Sequence, residues 1–302
     1  MTWLALLLAL FLEQMSFPAL RGRIEAWAWG WPRWVRSRAA QAQAASISAL
    51  AWTLVAVLGP AVLAQMLYGL LGHFLGWFWL LFVFYACLGF SAYIRQASAL
   101  REAVEWRDTQ TLQGLVAQQV PEAVAISGGP TAQALAASLM LAQRQILAVV
   151  AAALLGWMLG VPLFFVVLLW AVQAWRMSAP QAAQDAAASG AAPVRGDARW
   201  LGAIDTAAAW VTAVSLAVGS QFDAVTRALR RGGDASARHA LDLLGDAAGA
   251  ALCLPEDWME RVRDEDDVDA VTIEHLLRWE GLVWRALGVW LLVFAVLTAL
   301  AW

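Results

Sequence analysis

The stretch ILAVVAAALLGWMLGVPLFFVVLLWAVQAW, residues Ile146 to Trp175, runs for thirty residues without a charged side chain. A helix needs about 20 residues to cross the hydrocarbon core of a bilayer, so this run is long for one membrane span and short for two. A turn signal lies inside it near Trp157–Pro162, where GWMLGVP supplies two glycines and a proline. Whether the chain crosses once or turns back there decides on which side of the membrane its second half lies.

The composition is that of an integral membrane protein. Of the 302 residues, 62% are hydrophobic and 14% are charged, against about 25% charged in soluble domains, and the mean hydropathy is +0.62. All 20 basic residues are arginines, which excludes enzymes that depend on a lysine amine, such as Schiff-base enzymes. The hydrophobic composition makes the lipid bilayer the expected environment. The net charge of -3 favours neither nucleic acid nor an anionic lipid surface as the main partner.

Five apolar runs mark the membrane segments. The first lacks the basic region and the small-residue cleavage site of a signal peptide, so it is predicted to be a retained span. Four of the runs have about the length and composition of a crossing helix, and the fourth is longer than one span. The runs are Trp3–Leu20, Ala45–Tyr68, Trp77–Ile94, Ile146–Trp175 and Gly281–Trp302.

The arginines decide between a single crossing and a hairpin, because short loops rich in arginine stay in the cytoplasm. Five arginines lie in Arg21–Arg38, four in Arg95–Arg144 and eleven in Arg176–Arg285, and only a hairpin in the fourth run places all of them on one side. The first arm of the hairpin is then expected to extend back through Gln133–Gln145. This arrangement predicts a bacterial inner-membrane protein with both termini periplasmic and most loops cytoplasmic.

These segments predict an all-α, polytopic membrane protein with five or six membrane segments, including a helical hairpin, plus cytoplasmic or interfacial helices. Ala203–Gly219 is apolar but alanine-rich, and a crossing there would export arginines, so we expect it on the inner face or packed among the spans. Ala97–Val120 and Asp223–Leu254 have helical periodicity, and Ser178–Pro193 has the composition of a linker. The predicted divisions are residues 1–97 (three spans), 98–131 (cytoplasmic helix), 132–177 (hairpin), 178–270 (linker and interfacial helices) and 271–302 (last span).

Three ionisable residues near the inner ends of the membrane segments are candidates for ligand binding: Glu13, Arg144 and Asp205. Glu13 is the one acid inside an apolar span, where acids often face a bundle interior, although placement at the interface would also explain it. Arg144 could hold an anionic ligand or extend to water as a boundary residue. Asp205 could make a buried polar contact or match the dipole of its helix. All three are expected at the cytoplasmic boundary, where opposite charges would stabilise one another.

Other polar patterns indicate no metal or catalytic site. The acidic run DEDDVD, Asp264–Asp269, lacks the glycine and the spaced ligands of a calcium loop and is predicted to begin a helix. The sequence has no Ser/His/Asp set, no phosphate loop and no HExxH motif, so no catalytic residue, cofactor or metal ligand is predicted. The remaining residues of metal-binding type are scattered without ligand spacing: His73, His239, His275, Cys87 and Cys253.

A series of short segments carries a family resemblance. They are Leu12-Glu13-Gln14 at the end of the first run, Leu88-Gly89-Phe90 at the end of the third, and Leu100-Arg101-Glu102 and Glu105-Trp106-Arg107 in the following helix. Arg144-Gln145 before the hairpin, Asp205 through Trp210, and Leu282-Val283-Trp284-Arg285 in the last span complete the series. In order and topology, the chain resembles the bacterial inner-membrane proteins grouped as CobD/CbiB and AmpE.

The resemblance implies one of two functions. CbiB is a cobinamide-phosphate synthase, which joins an amino-alcohol phosphate to a corrinoid carboxylate, and a fragment of its pattern appears as RDTQTL, Arg107–Leu112. Its early His-Pro element is missing, AASLMLAQRQ at Ala136–Gln145 replaces its acidic segment, and Thr212-Ala213-Val214 replaces its Pro-x-Arg. Because an enzyme that binds phosphate and a corrinoid needs such polar groups, the AmpE-like branch is favoured.

The AmpE-like resemblance implies a non-catalytic accessory or signalling role in the membrane, linked to the regulation of chromosomal β-lactamase and to cell-wall recycling, with a membrane or cytoplasmic protein partner. The alternative is a divergent adenosylcobinamide-phosphate synthase of cobalamin biosynthesis. A transporter is disfavoured because the predicted spans lack paired charges and no inverted repeat is visible.

Overall fold

The computed structural model describes residues 2–15, 30–36, 38, 46–120, 129–178, 198–231, 240–254, 258 and 271–300. Helix makes up 90% of these residues and none of them is in a strand, so the all-α prediction is confirmed. The acidic run Asp264–Asp269, His239 and the linker beyond Ser178 lie outside the described residues.

Thirteen helical segments within the described residues are numbered in chain order, and residues 30–36 form a further short helix without a number. The numbered helices are α1 (Thr2–Gln14), α2 (Ser46–Leu70), α3 (Gly72–Cys87), α4 (Phe90–Glu105), α5 (Thr109–Gln119), α6 (Pro130–Ala142), the π-helical segment π1 (Gln143–Leu147), α7 (Ala148–Met158), α8 (Phe164–Met177), α9 (Ala198–Gly219), α10 (Phe222–Arg231), α11 (Ala240–Leu252) and α12 (Ile273–Leu300).

Five helical stretches in the described part of the chain are long and apolar enough to cross a membrane. Two further helices, α1 and α8, are apolar but shorter. The 14 residues of α8 extend about 21 Å, less than the ~30 Å hydrocarbon core. The chain is therefore a polytopic helical membrane protein, whose candidate spans are Ala51–Leu70, Gly72–Glu105, Pro130–Met158, Gly202–Gly219 and Ile273–Leu300.

The thirty-residue apolar stretch is not one helix, because α7 and α8 are separated by a turn where the sequence predicts one. Gly160 has a φ of 74°, a conformation that glycine adopts without steric cost. The N–H groups of Gly160 and Val161 donate to the carbonyls of Trp157 and Gly156, respectively. This pair of hydrogen bonds is the Schellman motif, which ends a helix at a left-handed glycine.

The described residues form two compact units, and the first comprises Met1–Leu88 and Ala151–Leu201. In this unit α2 packs against α3 and α8, and α1 packs against α3. The buried positions of α1 recur every three or four residues, so they form one face of the helix, as expected of a helix that packs along a neighbour. They are Thr2, Ala5, Leu6, Ala9, Leu10 and Glu13.

The second unit comprises Gly89–Val150 and Gly202–Trp302, and α6 is its core. Every side chain from Ala134 to Gln143 is buried, and α4, α5, α11 and α12 all pack against α6. Its many alanines allow these neighbours to approach closely. The helix continues without a break through π1 and α7 to Met158, so Gln133–Gln145 belongs to the helix that leads into the turn.

Within the second unit, α9 lies antiparallel to α12. The indole Nε1 of Trp290 donates to Ser215 Oγ at 2.6 Å, and Gly219 lies against the backbone of Ala286. The contacts advance along α9 while they go back along α12, which defines the antiparallel direction. Of the two placements expected for Ala203–Gly219, packing among the apolar helices agrees with these contacts.

Candidate functional site

The polar triplet Gln143-Arg144-Gln145 lies in the π-helical segment π1, in the second unit. The N–H of Ala148 donates to the carbonyl of Gln143, five residues back rather than four. A π segment accommodates one extra residue in a turn, and such segments occur frequently at functional sites. In this chain the extra residue coincides with three adjacent long polar side chains inside a mainly apolar helix.

Arg144 and Asp205, two of the three predicted site residues, form an ion pair. Arg144 Nη2 lies 3.2 Å from Asp205 Oδ2, and the two side chains are only 12% and 15% exposed. Gln143 is completely buried, and its Nε2 donates to the backbone carbonyl of Asp205 at 3.0 Å. Two neighbouring residues of π1 thus bind the same residue of α9, which connects these helices by a charged and a neutral contact.

Gln145 connects π1 to α4 in the same unit. Its Nε2 donates to Gln96 Oε1 at 2.7 Å, and its backbone carbonyl accepts a hydrogen bond from Gly89 N–H at 3.1 Å. A β-carbon at position 89 would lie 2.8 Å from Gln145 Cβ, which is a steric clash because non-bonded carbon atoms do not approach so closely. Glycine is therefore required at position 89 by the close approach of π1 rather than by its backbone dihedral angles.

Two hydrogen-bond acceptors remain available in the cluster of Gln96, Gln143, Arg144, Gln145 and Asp205. Its one cation and one anion neutralise each other. The Oε1 atoms of Gln143 and Gln145 are buried and have no hydrogen-bond partner among the described residues. Because buried amide oxygens are nearly always hydrogen-bonded, these two atoms are available as acceptors for a water or for an N–H or O–H group of a ligand. The cluster can therefore bind a neutral group that donates a hydrogen bond, while its two charges connect π1 to α9.

Glu13, the third predicted site residue, belongs to the first unit. It is 1% exposed and lies on the buried face of α1, which packs against α3. This position agrees with the bundle-interior placement of an intramembrane acid rather than with an exposed interface. Glu13 belongs to the first unit, and the Arg144–Asp205 pair belongs to the second.

A polar contact that no sequence pattern indicated lies at the end of α8 in the first unit. Arg36 Nη2 donates to the carbonyl of Trp175 at 2.8 Å, its Nε donates to Ser178 Oγ at 2.9 Å, and its guanidinium lies 3.8 Å from the centre of a Trp175 ring. A cation at the last turn stabilises a helix by binding its free carbonyls and by matching its dipole. The pairing joins residues 139 positions apart, so no local pattern could have indicated it.

The RDTQTL fragment forms a helix junction on the exposed surface. Arg107 has a φ of 53° and ends α4, and Asp108 caps α5, because its carboxylate accepts hydrogen bonds from Thr111 N–H at 3.0 Å and from Thr111 Oγ1 at 2.6 Å. The hydrogen bond from the Thr111 hydroxyl is the main reason why the pKa of Asp108 lies below its usual value, and the Thr111 N–H lowers it further. Capping accounts for an aspartate and a threonine at this spacing.

The remaining residues of metal-binding type do not converge. Over the residues that the structure describes, no group of three or more His, Cys, Asp or Glu side chains could hold a metal ion. His73 is exposed, and His275 accepts a hydrogen bond from Thr272 N–H at the start of α12. Cys87 is buried and Cys253 is exposed.

Comparison with known proteins gives no further assignment. No family model, no curated protein and no solved structure matches this chain.

Proposed function

We propose that this protein is a membrane-embedded accessory or signalling protein of the AmpE kind, located in a bacterial inner membrane and acting through a protein partner. The observation that carries the proposal is the Arg144–Asp205 ion pair, at 3.2 Å and with both side chains largely buried. A charge held for substrate chemistry must be able to reach a reacting group, whereas these two charges bind each other and connect two helices.

The energetics of the pair are suited to a helix-coupling role. A buried ion pair costs desolvation energy and is weak support for stability, but it defines which helix faces meet. It lies at a π segment, and conversion of that segment to α-helix would change the register by one residue, which rotates the following residues by about 100°. Such a change would separate Arg144 from Asp205. The pair and π1 together form the two-state element that a signalling protein needs.

The orientation belongs to the same proposal. The one-sided arginines favour cytoplasmic loops and periplasmic termini, with the turn at Gly160 on the periplasmic side. The cluster around π1 then lies near the middle of the helical stretch Pro130–Met158, where a membrane-embedded partner could reach it.

A divergent cobinamide-phosphate synthase is the second candidate, supported by the RDTQTL fragment. In the structure the Asp108 carboxylate of that fragment is bonded to Thr111 in a helix cap, which accounts for the motif locally. The fragment therefore adds less support to the synthase than the buried pair adds to the signalling role.

The two candidates are separated by a clean deletion in the source bacterium, complemented with wild type, Arg144→Met or Arg101→Met. Arg101 forms a similar pair with Glu280 at 3.3 Å, but those side chains are 28% and 31% exposed, so Arg101→Met is the matched control. We expect the deletion to alter β-lactamase induction, and Arg101→Met but not Arg144→Met to restore it. Loss of cobalamin synthesis that cobinamide rescues would instead establish the synthase.

A further inference from the structure

The helix α10 lies where an apolar helix of the second unit ends. It begins at Phe222, three residues after α9 ends at Gly219. Gly219 in turn lies against Ala286 of α12, at the point where the charged first part of α12 gives way to its apolar part. Because Gly219 lies beside this point of α12, α10 follows at the level of the polar boundary of α12.

One face of α10 is buried and the other combines an aromatic ring with arginines. Val225 is completely buried, and α10 packs against α11. Phe222 is 57% exposed, and Arg227 and Arg230 are exposed as well. Thr226 is four residues from both Phe222 and Arg230, and Arg227 is three residues from Arg230, so these residues share one side of the helix. Exposed arginines are attracted to anionic headgroups, and an exposed aromatic ring can enter the acyl boundary, so this side of α10 suits a membrane interface.

These side chains line an open groove of about 450 Å³. Among the described residues, it is lined by Phe222, Asp223, Thr226, Arg227 and Arg230. Arg227 Nε donates to the backbone carbonyl of Asp223 at 3.1 Å, which orients the guanidinium while leaving its terminal nitrogens for other acceptors. The two arginines and one aspartate among these described side chains carry a net charge of one positive unit.

We propose that this groove binds the headgroup of an anionic phospholipid of the phosphatidylglycerol class. Arginine donates in parallel to two phosphate oxygens, which suits Arg227 and Arg230 to the lipid phosphate. A glycerol headgroup adds hydroxyl donors for the Asp223 carboxylate, and the single negative charge of the lipid phosphate matches the net charge of the described lining side chains. The Phe222 ring extends toward the acyl boundary. This site is independent of the Arg144–Asp205 pair and of the signalling proposal.

The test uses the full chain purified in a neutral detergent, with lipid binding measured by native mass spectrometry and by the rise in melting temperature on lipid addition. The variants are Arg227→Gln, Arg230→Gln, their double variant, and Arg278→Gln. Arg278 is the control because it is an exposed arginine of the same unit outside the groove, with a side chain 56% exposed. The added compounds are phosphatidylglycerol, phosphatidylethanolamine, phosphatidylcholine and inorganic phosphate.

We expect phosphatidylglycerol to bind wild type preferentially, with affinity reduced about 5-fold by each single variant and about 30-fold by the double variant. Arg278→Gln should leave the affinity unchanged. All variants should melt like wild type without lipid, because the substituted side chains are exposed. Unchanged binding in the double variant, or equal binding of phosphatidylcholine or phosphatidylethanolamine, would overturn the proposal. Full competition by inorganic phosphate would replace the lipid site by a site for a soluble anion.

Discussion

The strongest prediction concerns the ion pair between Arg144 and Asp205. At a separation of 3.2 Å, the attraction between the two unit charges is about 5 kcal/mol for an effective dielectric constant of 20, before the cost of desolvation is subtracted. Because the side chains are 12% and 15% exposed, the charge left by a single substitution has little water around it. Arg144→Met or Asp205→Asn should therefore each lower the free energy of unfolding by about 2 to 4 kcal/mol, near the range for a broken buried pair.

A double-mutant cycle separates the pair energy from the effects of each substitution. Methionine keeps most of the apolar stem of Arg144, and asparagine keeps the shape of Asp205. The Asp205 backbone carbonyl that accepts from Gln143 is present in every variant. We expect a coupling free energy of about 1 to 2 kcal/mol, because the double variant no longer contains an uncompensated charge.

The cycle is measured by reversible unfolding in mixed detergent micelles, followed by tryptophan fluorescence and circular dichroism. The control cycle uses Arg101→Met and Glu280→Gln, because that pair has nearly the same separation, 3.3 Å, but side chains 28% and 31% exposed. Its coupling should stay below about 1 kcal/mol, as for exposed pairs. Additive effects at Arg144 and Asp205, or equal coupling in both cycles, would refute the argument that burial sets the strength of the pair.

Three further predictions concern the backbone, the pH dependence and the topology. Gly89→Ala should lower the free energy of unfolding by about 1 to 3 kcal/mol, because the added methyl group overpacks against Gln145. Gly114→Ala in α5 has open space around it and should raise the free energy of unfolding by up to about 1 kcal/mol. Both values are measured by unfolding in detergent. The capping of α5 lowers the folded-state pKa of Asp108. The ionised Asp108 side chain therefore stabilises the folded protein above the unfolded-state pKa, and this stabilisation is lost as the pH falls through the folded-state pKa. Melting temperatures of wild type and Asp108→Asn should accordingly differ at neutral pH and converge in acid. An alkaline phosphatase fusion at Ser189 should be inactive, and activity there would rule out the hairpin.

The helices and the turn of the apolar hairpin were accessible from the sequence because their causes are local. Apolar length and composition are properties of a continuous segment, and they correctly predicted an all-helical membrane protein. The turn was predictable because a glycine in the left-handed region ends a helix through hydrogen bonds within one turn of chain, as Gly160 does. The end of α4 also has a local cause, but hydrophobic periodicity did not reveal it. The residue in the left-handed conformation there is Arg107, and an arginine does not signal such a turn as a glycine does.

The partners of the polar side chains were decided only by the tertiary structure. The sequence singled out Arg144 and Asp205 as candidates but left open whether each was a boundary residue, since they are 61 positions apart and their contact requires α9 to lie beside π1. Gln96 carried no signal, and it became part of the cluster because α4 packs against the helix that carries Gln145. Hydrophobic periodicity specifies that a segment is a helix and how apolar it is, but it contains no information about which polar groups meet across a helix interface. That choice is made by close packing, where a contact such as Gly89 against Gln145 sets the distance at which the hydrogen bonds can form.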